Sequence, residues 1–221
     1  MTHTRMRPNR RQAKAMWGDF ALGAAIGAVV FLLVNTAVSL DVTNDSWLLN
    51  GYIEKDILQH YTGWLYYRQS PLQLPLGIAT QINAPDGCAV TYTDSIPLLA
   101  VFFRLTEGLL PETFQYFGPY NLLCYMLQGG AAALLVRLFV DNRLLMGLGS
   151  VLFCTAPIFL ERSFRHTALA SQYLILFALL LYFRNQLHGF RFRFGYYLLL
   201  GWQPLSTPTF CRWCLPFCLP T

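Results

Sequence analysis

The chain has 221 residues, of which 55% are hydrophobic, 15% are aromatic and only 12% are charged. This composition excludes an ordinary water-soluble domain and is typical of a protein that crosses a membrane several times. The net charge of +5 does not indicate nucleic-acid binding, because the basic residues form small groups beside apolar segments instead of one continuous stripe.

The N-terminal end carries a clear topological signal. Residues 1–19 contain five basic side chains and precede an apolar stretch over residues 20–40. Because Lys and Arg favour the cytoplasmic side, we predict a cytoplasmic N-terminus followed by a first transmembrane helix. The stretch is longer than the apolar part of a signal peptide, which favours an uncleaved anchor. Gly23 and Gly27 are predicted to let a second helix pack closely.

Residues 41–116 are predicted to form a large extracytoplasmic loop that contains surface helices. Between residues 41 and 94 the loop carries six acids and two bases. Residues 96–110 are apolar but short for a membrane span, and they include Arg104 and Glu107. We therefore predict an amphipathic helix that lies on the outer surface of the membrane.

Residues 117–202 are predicted to form a transmembrane helical bundle. Spans are expected at Tyr120–Val140, Leu144–Leu160, Ala168–Phe183 and a run that begins near Phe194. With residues 96–110 lying flat, this arrangement puts most of the remaining arginines in the cytoplasm. The predicted architecture is an all-α, multi-pass protein of the cell membrane, with about four to five transmembrane helices and a cytoplasmic N-terminus.

Residues 203–221 are predicted to be an aberrant tail. Pro204, Pro208 and Arg212 interrupt the last apolar run. Codons for residues 207–214, read one base earlier, can encode His-Pro-Tyr-Phe-Leu-Pro-Met-Val, so our hypothesis is a frameshift or truncation. The tail cysteines would then be accidents of the frame. They are no zinc site in this interpretation, since a single C-x-x-C without a second ligand pair is a weak signal.

The richest candidate site lies in the outer loop. Asp56 and His60 are four residues apart on a predicted helix, with Glu54 nearby, and such a pair can transfer protons or bind a metal ion. The alternative is a surface helix whose carboxylates are merely solvated. Tyr61 and Trp64 belong to an aromatic stripe on the same helix, which predicts that it lies at the level of the lipid headgroups.

Two further segments carry candidate residues. Asp94 precedes Pro97, and a role as the N-cap of the following helix is favoured over a functional role. Arg162, Arg165 and His166 lie in the predicted second outer loop. The arginines either extend to lipid headgroups or bind the phosphate of a lipid-linked substrate.

Three stretches together resemble a known family. They are Asp56-Ile-Leu-Gln-His-Tyr-Thr-Gly-Trp with Tyr67-Arg68, Thr93-Asp-Ser-Ile-Pro-Leu-Leu-Ala, and Arg165-His-Thr-Ala-Leu-Ala. Over about residues 51–184 the chain resembles a bacterial integral-membrane family catalogued as a domain of unknown function (number 6311). Its layout is also similar to the multi-span glycosyltransferases of the GT-C fold, which use polyprenyl-phosphate sugar donors.

The GT-C resemblance implies a transferase that moves a sugar from a polyprenyl-phosphate donor to an extracytoplasmic acceptor. Its loop carboxylate would deprotonate the acceptor hydroxyl or hold a divalent metal ion. One departure is that Lys55 separates two acids that are adjacent in many GT-C proteins. The resemblance implies a catalytic or metal-holding role for Asp56 and substrate-binding roles for Arg162, Arg165 and His166. From their positions in the sequence, His60 and Glu54 are further catalytic candidates, and Asp94 is a further substrate-binding candidate.

Two other interpretations remain open. The first is a non-enzymatic membrane protein that takes part in glycan transport or assembly. The predicted spans hold few ionisable groups, which counts against transport. The second is an inactive, truncated fragment of a larger transferase.

Overall fold

The computed structural model describes residues 10–50, 56–188 and 195, and this part of the chain is mostly helical, as predicted. The α-helices are α1 (Arg10–Asn35), α2 (Ser46–Leu49), α3 (Ile57–Gln69), α4 (Pro97–Leu105), α5 (Phe117–Arg137), α6 (Arg143–Cys154), α7 (Pro157–Arg165) and α8 (Tyr173–His188). Short 3-10 turns cover Ala37–Leu40, Glu107–Leu109 and Thr167–Ala170. Two short strands, β1 (Ile78–Ala79) and β2 (Cys88–Ala89), pair antiparallel within the loop, with Ile78 opposite Ala89.

Two segments of the described chain are long and apolar enough to cross a membrane, namely Ala15–Asn35 and Thr167–Leu187. Helices α6 and α7 add a third candidate if they act as one bent span. The span predicted over residues 144–160 is divided between two helices, because α6 ends at Cys154 and α7 starts at Pro157 with a bend of 46°. Proline has no N–H to donate to the preceding turn, so it begins a helix more readily than it continues one.

Helix α5 is the central helix of the bundle and contacts α1, α6 and α8. It has 21 residues but is not among the candidate spans, and its buried positions include Asn121 and Gln128. Its contact with α1 is close because Gly23 and Gly27 face the backbone of α5. The prediction that these glycines let a second helix pack closely is therefore confirmed.

Polar contacts show which helix ends lie together. Asp19, near the start of α1, pairs with Arg137 at the end of α5 (3.2 Å) and with Arg143 at the start of α6 (3.7 Å). At the other end of the bundle, the Asn121 amide donates to Asn35 (3.5 Å) and to the Ser163 carbonyl (3.2 Å). The loop over residues 41–116 joins α1 to α5 at this second end, which is opposite the end that holds Arg137 and Arg143.

The loop between α1 and α5 has its own aromatic core. Trp64 and Tyr61 of α3 are fully buried against Phe114, Tyr116 and Phe117. The Trp64 indole N–H donates to the Phe114 carbonyl at 3.2 Å. Tyr61 and Trp64 therefore contact protein instead of lipid headgroups, and the level of α3 relative to a membrane stays a prediction.

The segment predicted as one flat helix over residues 96–110 divides into α4 and a 3-10 turn. Nine helical residues extend about 14 Å, less than half of a bilayer core. The two charges are satisfied within the loop, since Arg104 pairs with Glu107 and donates to the Ser70 carbonyl at 2.7 Å. The segment is thus too short to cross, in agreement with the prediction that it does not span.

Asp19→Asn is expected to destabilise the fold by about 1–3 kcal/mol, because it leaves Arg137 and Arg143 without a buried carboxylate. The matched control is Asp141→Asn, since Asp141 also pairs with Arg137 (3.6 Å) but is fully exposed. That variant should change stability by less than about 0.5 kcal/mol. Thermal unfolding of both variants in detergent measures the difference, and equal stabilities would contradict the structural role of Asp19.

Candidate functional site

Four ionisable side chains from three separate segments meet at the loop end of the bundle. We call them the Asp–His cluster: Asp56, His60, Asp94 and His166. His166 Nε2 lies 3.5 Å from Asp94 Oδ2 and 4.0 Å from Asp56 Oδ2. The His60 and His166 rings are in edge contact, with centroids 4.3 Å apart. Residues that the sequence suggested as three separate candidates therefore form one site.

Helix α3 supplies two members of the cluster. Asp56 precedes its first turn, and the His60 backbone N–H donates to the Asp56 carbonyl at 3.0 Å. Because the two residues are one turn apart, both side chains can face His166. His60 is only 1% exposed, whereas the Asp56 side chain is 58% exposed. One member is thus held in the protein interior and the other is open to solvent.

The turn before α4 supplies Asp94, and hydrogen bonds hold both of its neighbours. The hydroxyls of Thr93 and Ser95 are 2.7 Å apart, and Ser95 donates to the His60 carbonyl at 2.7 Å. The Tyr116 hydroxyl donates to the Ser95 carbonyl. These bonds tie the turn to α3 and direct the Asp94 carboxylate toward His166.

The predicted N-cap role of Asp94 is wrong. The N-cap of α4 is Ile96, which makes no side-chain cap, and Pro97 follows it directly. Both Asp94 and Ile96 have φ 52, in the left-handed region. A β-branched residue is rare there, and strain of about 1–3 kcal/mol per residue persists only where surrounding contacts impose it. The strained turn points the Asp94 carboxylate at His166.

Burial dominates the electrostatics of the site. It lowers the pKa of His60 to about 3, with a further lowering from the nearby His166. Burial also lowers the pKa of His166, although Asp94 and Asp56 oppose this shift and Arg162 adds to it. The pKa of Asp94 is raised, first by burial and then by the charge of Asp56, while His166 lowers it. At neutral pH both imidazoles are therefore uncharged and can act as lone-pair donors.

The predicted phosphate-binding arginines separate in the structure. Arg165 pairs with Glu161 at 2.8 Å on the exposed face of α7. Arg162 lies close enough for its charge to lower the pKa of His166, and it makes no ion pair with another residue that the structure describes. Arg162 is therefore the arginine next to the cluster. Glu54, the third predicted catalytic residue, lies outside the described residues.

Sequence reasoning missed the residues that position the site. Thr93 and Ser95 hold the Asp94 turn, and Gly63 lets this turn approach α3, where a Cβ atom would lie 2.4 Å from Thr93. A glycine in the middle of a helical pattern, as in Tyr-Thr-Gly-Trp, is a usable signal for such a close approach.

His60, Asp94 and His166 could together hold a metal ion, since one ligand atom from each lies within 4.8 Å of the others. The complete cluster combines such a ligand set with an exposed carboxylate. These groups can support proton transfer, metal binding or both.

The family described as "Domain of unknown function (DUF6311)" matches residues 24–211. The chain belongs to this family. No curated protein and no solved structure matches the chain. The DUF6311 match contains the whole Asp–His cluster and extends beyond the predicted range of 51–184 on both sides. It reaches residue 211, within the segment 203–221 predicted to be aberrant, and that segment lies outside the described residues.

Proposed function

We propose that this protein is a glycosyltransferase-like enzyme of the cell membrane. It would transfer a sugar from a polyprenyl-phosphate donor to an acceptor hydroxyl on the outer face. One observation carries the proposal, which is the convergence of Asp56, His60, Asp94 and His166 at one end of the helical bundle. Structural ion pairs do not require such a buried, strained arrangement, whereas catalytic sites often do.

The proposed topology has four spans among the described residues: α1, α5, the bent pair α6–α7, and the segment with α8. Alternation of the helix ends supports it, because Asp19, Arg137 and Arg143 meet at one end and the cluster lies at the other. Arginines favour the cytoplasmic side, so the cluster and the loop would face outward. The predicted fifth span from Phe194 lies outside the described part, apart from residue 195.

In the proposed reaction, Asp56 acts as the general base. Its exposed carboxylate takes the proton of the acceptor hydroxyl, and the acceptor oxygen forms a bond to the anomeric carbon of the sugar. The bond from that carbon to the donor phosphate oxygen breaks, and polyprenyl phosphate leaves with the electron pair. Arg162 would stabilise the negative charge that grows on this phosphate.

The position of the site supports a lipid-linked donor. His166 immediately precedes the candidate span Thr167–Leu187, so the cluster lies where an apolar segment begins. A polyprenyl chain would remain in the bilayer while its phosphate reached this level. Arg162, one turn before His166, would then meet the phosphate, and a guanidinium fork fits phosphate oxygens well.

Asp56→Asn is expected to lower sugar transfer at least about 100-fold, because the amide cannot accept the acceptor proton. The full chain in vesicles is mixed with a panel of polyprenyl-phosphate sugars and with membranes from a strain that lacks it. Mass spectrometry then measures the polyprenyl phosphate that is released. The control is Glu161→Gln, which changes a similarly exposed carboxylate on α7 and should retain activity.

Two results would contradict the proposal. If folded Asp56→Asn released polyprenyl phosphate as fast as the natural chain, Asp56 would not be the base. If no sugar in the panel were consumed by the natural chain, a non-enzymatic role in glycan transport or assembly would become the better account.

A further inference from the structure

We propose that His60, Asp94 and His166 form a binding site for one zinc-type divalent cation. Asp56 would lie beside the ion as a proton acceptor. The role of Asp56 rests on the proposed function, whereas the metal site stands on the three side chains alone. Direct metal measurements therefore test the site separately from sugar transfer.

The donor set selects the class of metal. Two imidazole nitrogens and one carboxylate oxygen suit zinc and neighbouring transition metals, whereas magnesium and calcium prefer sites made only of oxygen. Three protein ligands with one open position are typical of catalytic zinc sites, while structural sites use four. The open position would face the solvent side, where Asp56 is 58% exposed.

The distances fit coordination better than direct hydrogen bonding. A hydrogen bond between a ring nitrogen and a carboxylate usually measures about 2.7–3.2 Å. The 3.5 Å between His166 Nε2 and Asp94 Oδ2 is longer. It is close to the ligand–ligand edge of about 3.3 Å in a tetrahedral site with bonds of about 2.0 Å. The third ligand atom, from His60, is within 4.8 Å of both, so a small ring movement brings it into range.

The buried imidazoles provide an independent observation. Among the described residues, Nδ1 of His60 and Nδ1 of His166 are buried and make no hydrogen bond. His60 is almost fully buried in the cluster. A buried polar atom without a partner costs about 1–3 kcal/mol, and such atoms are rare in folded proteins. An ion bound through Nδ1 of His60 would offset this cost at His60, while His166 would bind the ion through Nε2, the atom near Asp94.

The backbone holds the ligands in place before any ion arrives. Ser95 ties the Asp94 turn to the His60 carbonyl, and the left-handed φ of Asp94 sets the direction of its side chain. Ligands from α3, from this turn and from the α7 junction converge without any need for a large movement. When bound, such an ion would supply Lewis-acid stabilisation for the donor phosphate.

The test measures zinc in the full chain, purified in detergent without a histidine tag. Cys211, Cys214 and Cys218 are changed to Ser, so that the tail thiols contribute no zinc. After chelation and addition of zinc, we expect about one ion per chain by elemental analysis. His60→Gln, Asp94→Asn and His166→Gln should each weaken binding at least about 100-fold. Asp56→Asn and the exposed control Glu161→Gln should retain the ion.

Cobalt substitution keeps the proposal testable if one variant fails to fold. The natural ligand set should give the visible absorption bands of four-coordinate cobalt, and added zinc should remove them. The proposal is overturned if the natural chain retains no zinc or if no cobalt bands form. It is also overturned if folded Asp94→Asn binds zinc as tightly as the natural chain does. None of these measurements uses a sugar, so a failed transfer assay leaves the metal result intact.

Discussion

Gly27→Ala is expected to prevent the folded protein from accumulating in the membrane. A Cβ atom at this position would lie 2.0 Å from the Tyr125 carbonyl oxygen and 2.7 Å from its carbonyl carbon. Both atoms belong to the backbone of α5, which cannot move aside as a side chain can. Helices α1 and α5 would have to separate, and we expect a loss of at least about 3 kcal/mol, at the upper end for overpacked cores.

The matched control for this variant is Gly18→Ala in the same helix. Nothing lies within 4 Å of a Cβ atom at Gly18. Since Ala favours helix over Gly by up to about 1 kcal/mol, this variant should be neutral or slightly stabilising. Membrane accumulation and the thermal unfolding midpoint in detergent compare the two. If Gly27→Ala unfolds at the same temperature as Gly18→Ala, the close contact between α1 and α5 is wrong.

Gly63→Ala is expected to disable the Asp–His cluster while the helical bundle stays intact. The new Cβ atom would lie 2.4 Å from the Thr93 side chain and 2.6 Å from the Ser95 hydroxyl. The turn over residues 93–95 must then move by about 1 Å, and it carries Asp94 with it. A displacement of this size lowers catalytic rates by about 100-fold, and the same movement separates Asp94 from His166.

Zinc stoichiometry and release of polyprenyl phosphate measure this loss, and circular dichroism checks that the helices remain. The control is Gly108→Ala in the 3-10 turn Glu107–Leu109, where a new Cβ atom meets nothing within 4 Å. Both functions should survive in the control. If Gly63→Ala retains zinc and transfer at natural levels, the turn does not position the site.

The predictability of the site differs from residue to residue. Asp56 and His60 could be paired from their spacing of four on one helix. Asp94 could not be connected with them, because 34 residues separate it from His60 and its left-handed φ is imposed by tertiary contacts. From the local sequence alone, a capping role is the better expectation for Asp94, which lies three residues before Pro97. It fails because hydrogen bonds from Thr93 and Ser95 direct the turn elsewhere.

The helix boundaries also differ in how far the sequence predicts them. The apolar run at the start of the chain predicts a long helix, and α1 covers Arg10–Asn35. The bend between α6 and α7 was harder to predict, since residues 144–160 are mostly apolar and uncharged and Pro157 is their one proline. Whether such a proline kinks a helix or begins a new one depends on packing.

The sequence by itself determined that the chain is mostly helical and has apolar segments long enough to cross a membrane, because apolar length and periodicity are local properties. It also identified three segments that carry ionisable residues, and the close packing of α1 through glycine. Only the tertiary structure decided that Asp56, His60, Asp94 and His166 share one site, that Arg165 is diverted to Glu161, and that Trp64 is covered by protein. These outcomes depend on contacts between residues far apart in the chain, which local patterns do not encode.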